Sequence, residues 1–446
     1  MKPIVRFAPS PTGKLHVGNV RTALVNWLYA RREGGQFILR IDDTDTARST
    51  QAYEDQIKED MAWLGMTWDS SFNQSAKFDV YDEAADALRR MGLLYACYET
   101  ADELDRQRKI LRAQGKPPVY DRTGLRLTVA EKDALEAEGR QAHWRFKLSG
   151  QPAVWDDLVR GTQSIDTSSL SDPVLIRGDG SYLYTLPSVV DDIDAGITHI
   201  IRGEDHVTNS GAQKEIFEAL GAKAPIFGHP PLLAGKDGKS LSKRLGSLSM
   251  DQLRAQGIEP MAICSLLAKI GTSDPIEARQ NMAQLTEEFS FSKIGRAPAR
   301  FDEDELLLLN GRLLHELPYS DAKARLKALG IPASEDFWNL VRANLTKFGD
   351  AAGWSTVIYA PMPGQIADED AEFCAAAAAL LPADLTDQTW SAWTSAVKEQ
   401  TGRKGKGLFL PLRLALTGRG RGPSMDGLLP MLGTKRAKAR LMGETG

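Results

Sequence analysis

Apolar and polar positions change their period twice between residues 4 and 41. Ile4-Val5-Arg6-Phe7 predicts a short strand, and the following Ala8-Pro9-Ser10-Pro11-Thr12-Gly13 is a loop whose two prolines block regular pairing. From Asn19 onward Val20, Ala23, Leu24, Trp27 and Leu28 recur at i, i+3, i+4, i+7 and i+8, one face of a helix. Arg31-Arg32 suit the negative end of that helix, and Gly34-Gly35 stop it. Phe37-Ile38-Leu39-Arg40-Ile41 is then a continuous apolar strand that ends at Asp42-Asp43-Thr44-Asp45. A strand–helix–strand unit this compact implies parallel pairing with a right-handed crossover, and ligands beyond the carboxyl ends of the strands. The Pro-rich loop and the Asp-rich tip both lie there.

Helical patterns follow over 53–64 and 80–91. The stretch from 97 to about 186 breaks the rhythm with a charged helix over 102–112, Lys116-Pro117-Pro118, and short strand candidates at 143–148 and 173–177. It reads as an α+β insertion. Beyond it, 181–186, a helix near 189–195 and a strand at 198–202 are expected to resume the sheet, and from residue 250 on the patterns are almost entirely helical. No internal repeat stands out.

Length and composition then narrow the class. A chain of 446 residues, 42% apolar and 26% charged, is long enough for two to four domains with real cores. Three cysteines far apart argue against a disulfide framework or a Cys-rich zinc site. No apolar run approaches a membrane span and MKPIVRFAPSP has no signal-peptide core, so a soluble protein of the cytoplasm is expected. The overall charge is −4, yet residues 402–440 hold ten basic side chains against one acidic. That local excess is a candidate phosphate-binding surface, with a solvated basic helix pair as the plain alternative.

Three groupings carry candidate chemistry. His16-Val17-Gly18-Asn19 stands at the opening of the first helix, where side-chain donors, free backbone N–H groups and the positive dipole end make an anion cradle. Gly18 there lets a flat ligand approach the backbone. Ser240-Leu241-Ser242-Lys243-Arg244 follows a Gly- and Lys-rich loop, so Lys243 is placed to neutralise charge on a departing pyrophosphate. Gly238-Lys239-Ser240 is no phosphate-binding P-loop, because Leu233 stands where that loop needs glycine. Arg6, Asp42, Tyr184 and Arg202 on strand ends would suit an amino acid with a second carboxylate: arginine for carboxylates, Asp42 for the ammonium. Structural ion pairing between neighbouring strands is the competing reading.

FAPSPTGKLHVGN, RIDDTDTAR, IIRGEDHV and SLSKR, in this order and at these intervals, resemble the bacterial-type glutamyl-tRNA synthetases, which are class I aminoacyl-tRNA synthetases. HVGN is similar to that class's HIGH signature and SLSKR to its KMSKS signature, and GRKGKGLFLPLRLALTG extends the likeness into the C-terminal half. The resemblance implies a Rossmann-type parallel-sheet catalytic domain with an α+β insertion, followed by an all-helical anticodon-binding domain. The implied limits are 1–96 and 188–245 for the catalytic halves, 97–187 for the acceptor-stem insertion, 246–312 for a stem-contact domain and 313–446 for the anticodon domain.

It also implies activation of L-glutamate by ATP to glutamyl-adenylate, then transfer to the 3′-terminal adenosine of tRNA(Glu), with activation dependent on bound tRNA. Arg6, Ala8, Ser10, Asp42, Tyr184 and Arg202 would bind the amino acid, Arg202 with Arg6 taking the side-chain carboxylate. His16, Gly18, Asn19, Asp205, His206 and Lys243 would contact ATP, and His16, Asn19 and Lys243 would carry catalysis by electrostatics. Arg403, Lys404, Lys406 and Arg413 would touch tRNA. Mg²⁺ is expected to arrive with ATP, and the resemblance implies a monomer, with tRNA(Gln) as a second candidate substrate.

The chain departs from the family pattern in places. Asp42 replaces a common Glu, His206 a Trp found in some relatives, Ser188 an Asn, and Ser240 the first Lys of the KLSKR form. Where some relatives build a zinc site, Cys97, Glu99, Tyr120 and Arg122 stand here, so no zinc is expected. Glutamylation of a modified tRNA base and a silent tRNA-binding module are the rival readings; a glutaminyl enzyme fits the opening loop less well.

Overall fold

The computed structural model describes residues 2–239, 241, 248–332 and 334–446. The chain forms two compact units, one of Met1–Leu253 with Ile263–Asp302 and one of Arg254–Ala262 with Glu303–Gly446.

The first unit is built on parallel strands. Ile4–Phe7 pairs in parallel with Gln36–Ile41, which pairs in parallel with Ser70–Asn73. His199–Ile201 pairs in parallel with Ile226–Gly228, and Thr198 N–H donates to Ile4 O at 3.0 Å, which sets this second pair against the first strand. Val5, Phe7, Phe37, Leu39 and Ile41 are buried, as strands covered on both faces require. The helix Val17–Arg32 makes the crossover and begins two residues before the apolar periodicity does, because His16 caps it. Ser70–Asn73 had no apolar signature to betray it: its sequence is SSFN, and two of its residues are exposed.

The interruption is α+β. Leu94–Cys97, His143–Phe146 and Val174–Ile176 form an antiparallel sheet, and Pro152–Asp157 pairs with Gly161–Asp166 as a hairpin. The expected strands near 143–148 and 173–177 are present; the hairpin went unread because its second strand, GTQSID, offers a single large apolar residue. The segment 181–186 is a correction. Only Tyr182 bridges, back to Ile176, after a turn in which Gly180 adopts φ +82°, and Thr185–Asp194 is already helical. Pro187 in the first turn of that helix needs no N–H partner.

The second unit is helical and closes around Phe337, Trp338, Val341, Leu412, Leu416 and Leu428. No described helix of either unit is long and apolar enough to cross a membrane.

Candidate active site

A cavity of about 800 Å³ opens beyond the carboxyl ends of the parallel strands. Three of the strands deliver residues to it: Phe7 leads into Ala8 and Ser10, Ile41 into Asp42, and Ile201 into Arg202. His16, Gly18 and Asn19 line it from the first helix, Tyr184 from the start of Thr185–Asp194, and Asp205 and His206 from the turn after Arg202. Arg6 completes the set. Side chains more than 200 positions apart in sequence thus share one wall-to-wall space only through parallel pairing.

Lys243 lies outside the described residues, with Ser240, Ser242 and Arg244. Its described neighbours are at the site. Leu241 lines the cavity, while Leu248 O accepts from Val17 N–H at 3.2 Å and Met250 N–H donates to Leu15 O at 3.0 Å.

At the helix start the geometry revises the expected cradle. His16 Nδ1 accepts the backbone N–H groups of Gly18 at 3.1 Å and Asn19 at 3.3 Å, and Asn19 Oδ1 accepts His16 N–H at 3.4 Å. This is a reciprocal capping box made with histidine. The first-turn N–H groups are therefore taken. Because Nδ1 is an acceptor, the neutral ring carries its proton on Nε2, and burial lowers the ring's pKa, which favours that neutral form. What faces a ligand is the Nε2–H of His16 and the amide NH₂ of Asn19. Gly18 also has a different reason from the expected one: a Cβ there would come within 2.9 Å of the His16 ring, so glycine makes room for the cap itself.

Around the strand ends three guanidiniums meet three carboxylates, Asp42, Asp191 and Asp192, with Asp191 4.0 Å from the Arg40 Nε. Arg40, 2% exposed, donates to both oxygens of Asp42, at 2.6 and 3.1 Å, and at 2.9 Å to Asp192. Its other contacts are Ser188 O and Oγ. Arg6 donates to the same Asp192 oxygen at 3.0 Å. Asp42 is thus held by an arginine inside the protein instead of standing open to an ammonium, and the ion-pair reading applies to it.

Arg202 is the exception. It donates to Ser210 Oγ at 2.7 Å and to Gln213 Oε1, but it has no carboxylate partner among the described residues, and its buried Nε has no partner at all. Burial and the neighbouring Arg6 pull its pKa down to about 10, so it stays charged. A largely desolvated, unmatched cation beside a cavity is costly without an anion to meet it. Opposite it, Tyr184 accepts from the Asn209 amide, and His206, its pKa lowered by burial and by Arg202, lies 3.8 Å from Asp205. Sequence reasoning gave no role to Arg40, although it opens RIDDTDTAR, nor to Asp192, which lies in no motif, nor to Arg21, whose buried guanidinium fastens Pro231 O and Ile270 O.

Two other predicted groups lie away from this cavity. Cys97, Glu99 and His143 bring three ligand-type atoms within 4.8 Å of one another, so His143 joins the pair read from sequence. Tyr120 O–H donates to Glu99 at 2.7 Å, and burial pushes the Cys97 thiol up to about 11. Three donors fall one short of a closed structural zinc site, and the Arg145 guanidinium lies 4.3 Å over the Tyr120 ring.

The basic residues of the helical unit divide. Lys404 and Lys406 are exposed. Arg403 instead pairs with Asp370 and lies 4.2 Å over Phe373, and Arg413 donates to Pro423 O at 2.6 Å with a half-buried, partly unpaired guanidinium. Of the four residues expected at tRNA, these two arginines thus direct donors to the helical unit itself, Arg403 to Asp370 and Arg413 to Pro423 O, and the two lysines stand in solvent.

The family model described as tRNA synthetases class I (E and Q), catalytic domain, matches residues 3–307, and an anticodon binding domain model matches 336–443. The chain belongs to this family of class I tRNA synthetases. It is 62% identical to a glutamate–tRNA ligase 2 of Hyphomonas neptunium over 98% of this chain and 99% of the relative. A glutamate–tRNA ligase 1 of Maricaulis maris is 60% identical over 99% of each. Among solved structures, the glutamate-tRNA synthetase from Elizabethkingia anophelis superposes with a TM-score of 0.85 at 28% identity, covering 99% of both chains. A glutamate tRNA ligase from Elizabethkingia meningosepticum in complex with its amino acid gives 0.84 at 28% identity, covering 99% of this chain and 98% of that one. Within the class, the particular branch is that of the glutamate–tRNA ligases.

Proposed function

We infer that the chain activates L-glutamate with ATP to glutamyl-adenylate and pyrophosphate, and transfers the glutamyl group to the 3′-terminal adenosine of tRNA(Glu). The observation that carries the amino-acid choice is Arg202, a half-buried guanidinium on the cavity wall with no carboxylate partner among the described residues. Glutamate's side-chain carboxylate supplies the missing partner, with Arg6 beside it. Glutamine offers no charge there, and the guanidinium would stay uncompensated.

The remaining roles follow the chemistry of adenylation. Ala8, Ser10 and Tyr184 border the amino acid, and Asp42, already occupied by Arg40, meets the ammonium only by sharing that pair. The His16 Nε2–H and the Asn19 amide donate to the phosphates of ATP, Gly18 keeps that cap open, and Asp205 and His206 flank the nucleotide. Lys243 neutralises the departing pyrophosphate. None of these steps needs a proton transfer; positioned charge is enough. Mg²⁺ enters on ATP, and zinc has no assigned place. Glutamate activation waits for tRNA, which Lys404 and Lys406 help to bind. The enzyme acts as a monomer in the cytoplasm, with tRNA(Gln) as a possible second substrate class and the domain limits given above. ATP–pyrophosphate exchange with glutamate or glutamine, with and without tRNA, tests this reading: exchange with glutamate in the presence of tRNA is expected, and none under any of these conditions would leave a silent tRNA-binding module.

A further inference from the structure

Behind Arg202, away from the cavity, lies a buried polar chain that the adenylation chemistry does not use. His229 is fully buried between Asp157 and Ser210. Asp157 Oδ1 accepts the backbone N–H groups of Val159 at 3.0 Å, Arg160 at 3.0 Å and His229 at 3.1 Å, and Oδ2 accepts from the His229 ring at Nδ1. A carboxylate with this many donors is an acceptor only, so the ring proton sits on Nδ1. The far nitrogen, Nε2, is then an acceptor. It lies 2.9 Å from Ser210 Oγ, whose hydroxyl donates to it. With its proton committed, Ser210 has only lone pairs left, and these accept Arg202 Nη2 at 2.7 Å. Every hydrogen bond in the chain is thus donated in one direction, from the guanidinium toward the carboxylate.

We propose that Asp157, His229 and Ser210 act as positioning residues that orient Arg202 for the substrate's side-chain carboxylate. A serine hydroxyl without this histidine would turn to His206 O, 3.2 Å away. Among the described residues Arg202 has no anion to hold it and only Gln213 as a further partner, so its plane is set by the relay. Two separate parts of the unit meet in it, since Asp157 ends the strand Pro152–Asp157 of the hairpin and Ser210 stands on the helix Val207–Ala219.

The inference rests on the reading of Arg202 as glutamate's partner, and the test separates the two. The full-length enzyme with tRNA(Glu) is assayed by pyrophosphate exchange for the glutamate KM, the ATP KM and kcat. The variants are Ser210→Ala, His229→Asn, His229→Gln, the double Ser210→Ala with His229→Asn, and Arg202→Gln as reference. Ser210→Ala and His229→Asn should each raise the glutamate KM about tenfold, the worth of one hydrogen bond to a charged group. The ATP KM and kcat should stay within about twofold. His229→Gln, which keeps an acceptor near the Nε2 position, should restore much of the loss, and the double variant should be no worse than either single one. Multiplying effects, or equal losses in ATP KM and kcat, overturn the relay. So does a normal glutamate KM in Ser210→Ala when Arg202→Gln raises it. If Arg202→Gln leaves that KM unchanged, the role given to Arg202 fails, and the relay with it. Should His229→Asn not fold, Ser210→Ala, which removes one atom, still decides the matter.

Discussion

Two arginines, one in each unit, show opposite uses of the same side chain. Arg440 in the helical unit is fully buried, and its guanidinium donates to Val357 O, Ala360 O, Leu416 O and Gly446 O at 2.8 to 3.2 Å. All of its hydrogen-bonding capacity is spent on main-chain carbonyls that helix ends leave open. Arg202 in the parallel-sheet unit is half-buried and undersupplied, with two neutral side-chain acceptors, an Nε without a partner among the described residues and a cavity in front. A saturated guanidinium is a structural clamp, whereas an unsaturated one is a receptor. Charge counted along a sequence cannot separate them, which is why the basic stretch 402–440 overstated its own surface.

The comparison can be broken most directly at Arg202. Arg202→Gln should lower kcat/KM for glutamate on the order of 10³-fold with little change in thermal stability, read by pyrophosphate exchange and a melting curve. A loss of stability without a loss of glutamate recognition would make Arg202 a second clamp. His16→Ala should slow activation about 100-fold through the lost Nε2 donor, while the lost cap costs about 1 kcal/mol of unfolding free energy in denaturant. Arg440→Met should do the reverse of Arg202→Gln. It takes the guanidinium donors from Val357 O, Ala360 O and Leu416 O, while Gly446 O keeps the Met362 N–H, and should cost about 3 kcal/mol or more of stability in the helical unit, with the glutamate KM in folded enzyme unchanged.

A pH series sharpens the contrast from another side. Burial alone would raise the Asp157 carboxyl, but the His229 ring and the Val159 and Arg160 N–H groups outweigh it and hold it down at about 2. A folded-state value below the unfolded one stabilises the protein above the ordinary carboxylate range. That contribution, of the order of 2 kcal/mol, should fade as pH falls from about 4 through 2, and Asp157→Asn should flatten this part of the curve. The smallest effect belongs to the exposed lysines. Lys404→Ala should reduce the slope of log affinity for tRNA against log salt by about 0.7–0.9 and leave stability alone, whereas Arg403→Ala should lower stability through Asp370 and Phe373.

Local order was legible where it depends on neighbours in sequence. The i, i+3, i+4 pattern from Val20 to Leu28 and the apolar run Phe37–Ile41 announced a helix and a buried strand, and His16, Gly18 and Asn19 announced the helix start. The strand Ser70–Asn73 and the hairpin at 152–166 were illegible because their polar sequences owe their pairing to the sheet edge and partner strand they meet. Asp42 was legible as a site residue but not as Arg40's partner, since Arg40 reads from sequence as one more position in an apolar strand.

Taken alone, the order of residues determined the kind of chemistry present: a loop and helix start made for anions, arginines and a carboxylate at strand ends, a lysine-bearing SLSKR segment, and motifs that resemble one synthetase family. It could do so because capping, periodicity and turn formation act over a few residues. Which arginine is free to meet a substrate was decided only in three dimensions. Asp192 reaches Arg6 and Arg40 from 186 and 152 positions away, while Arg202 is left with Ser210 and Gln213. Pairing of buried charges is settled by distance in space, and parallel strands bring together ends that the chain keeps far apart.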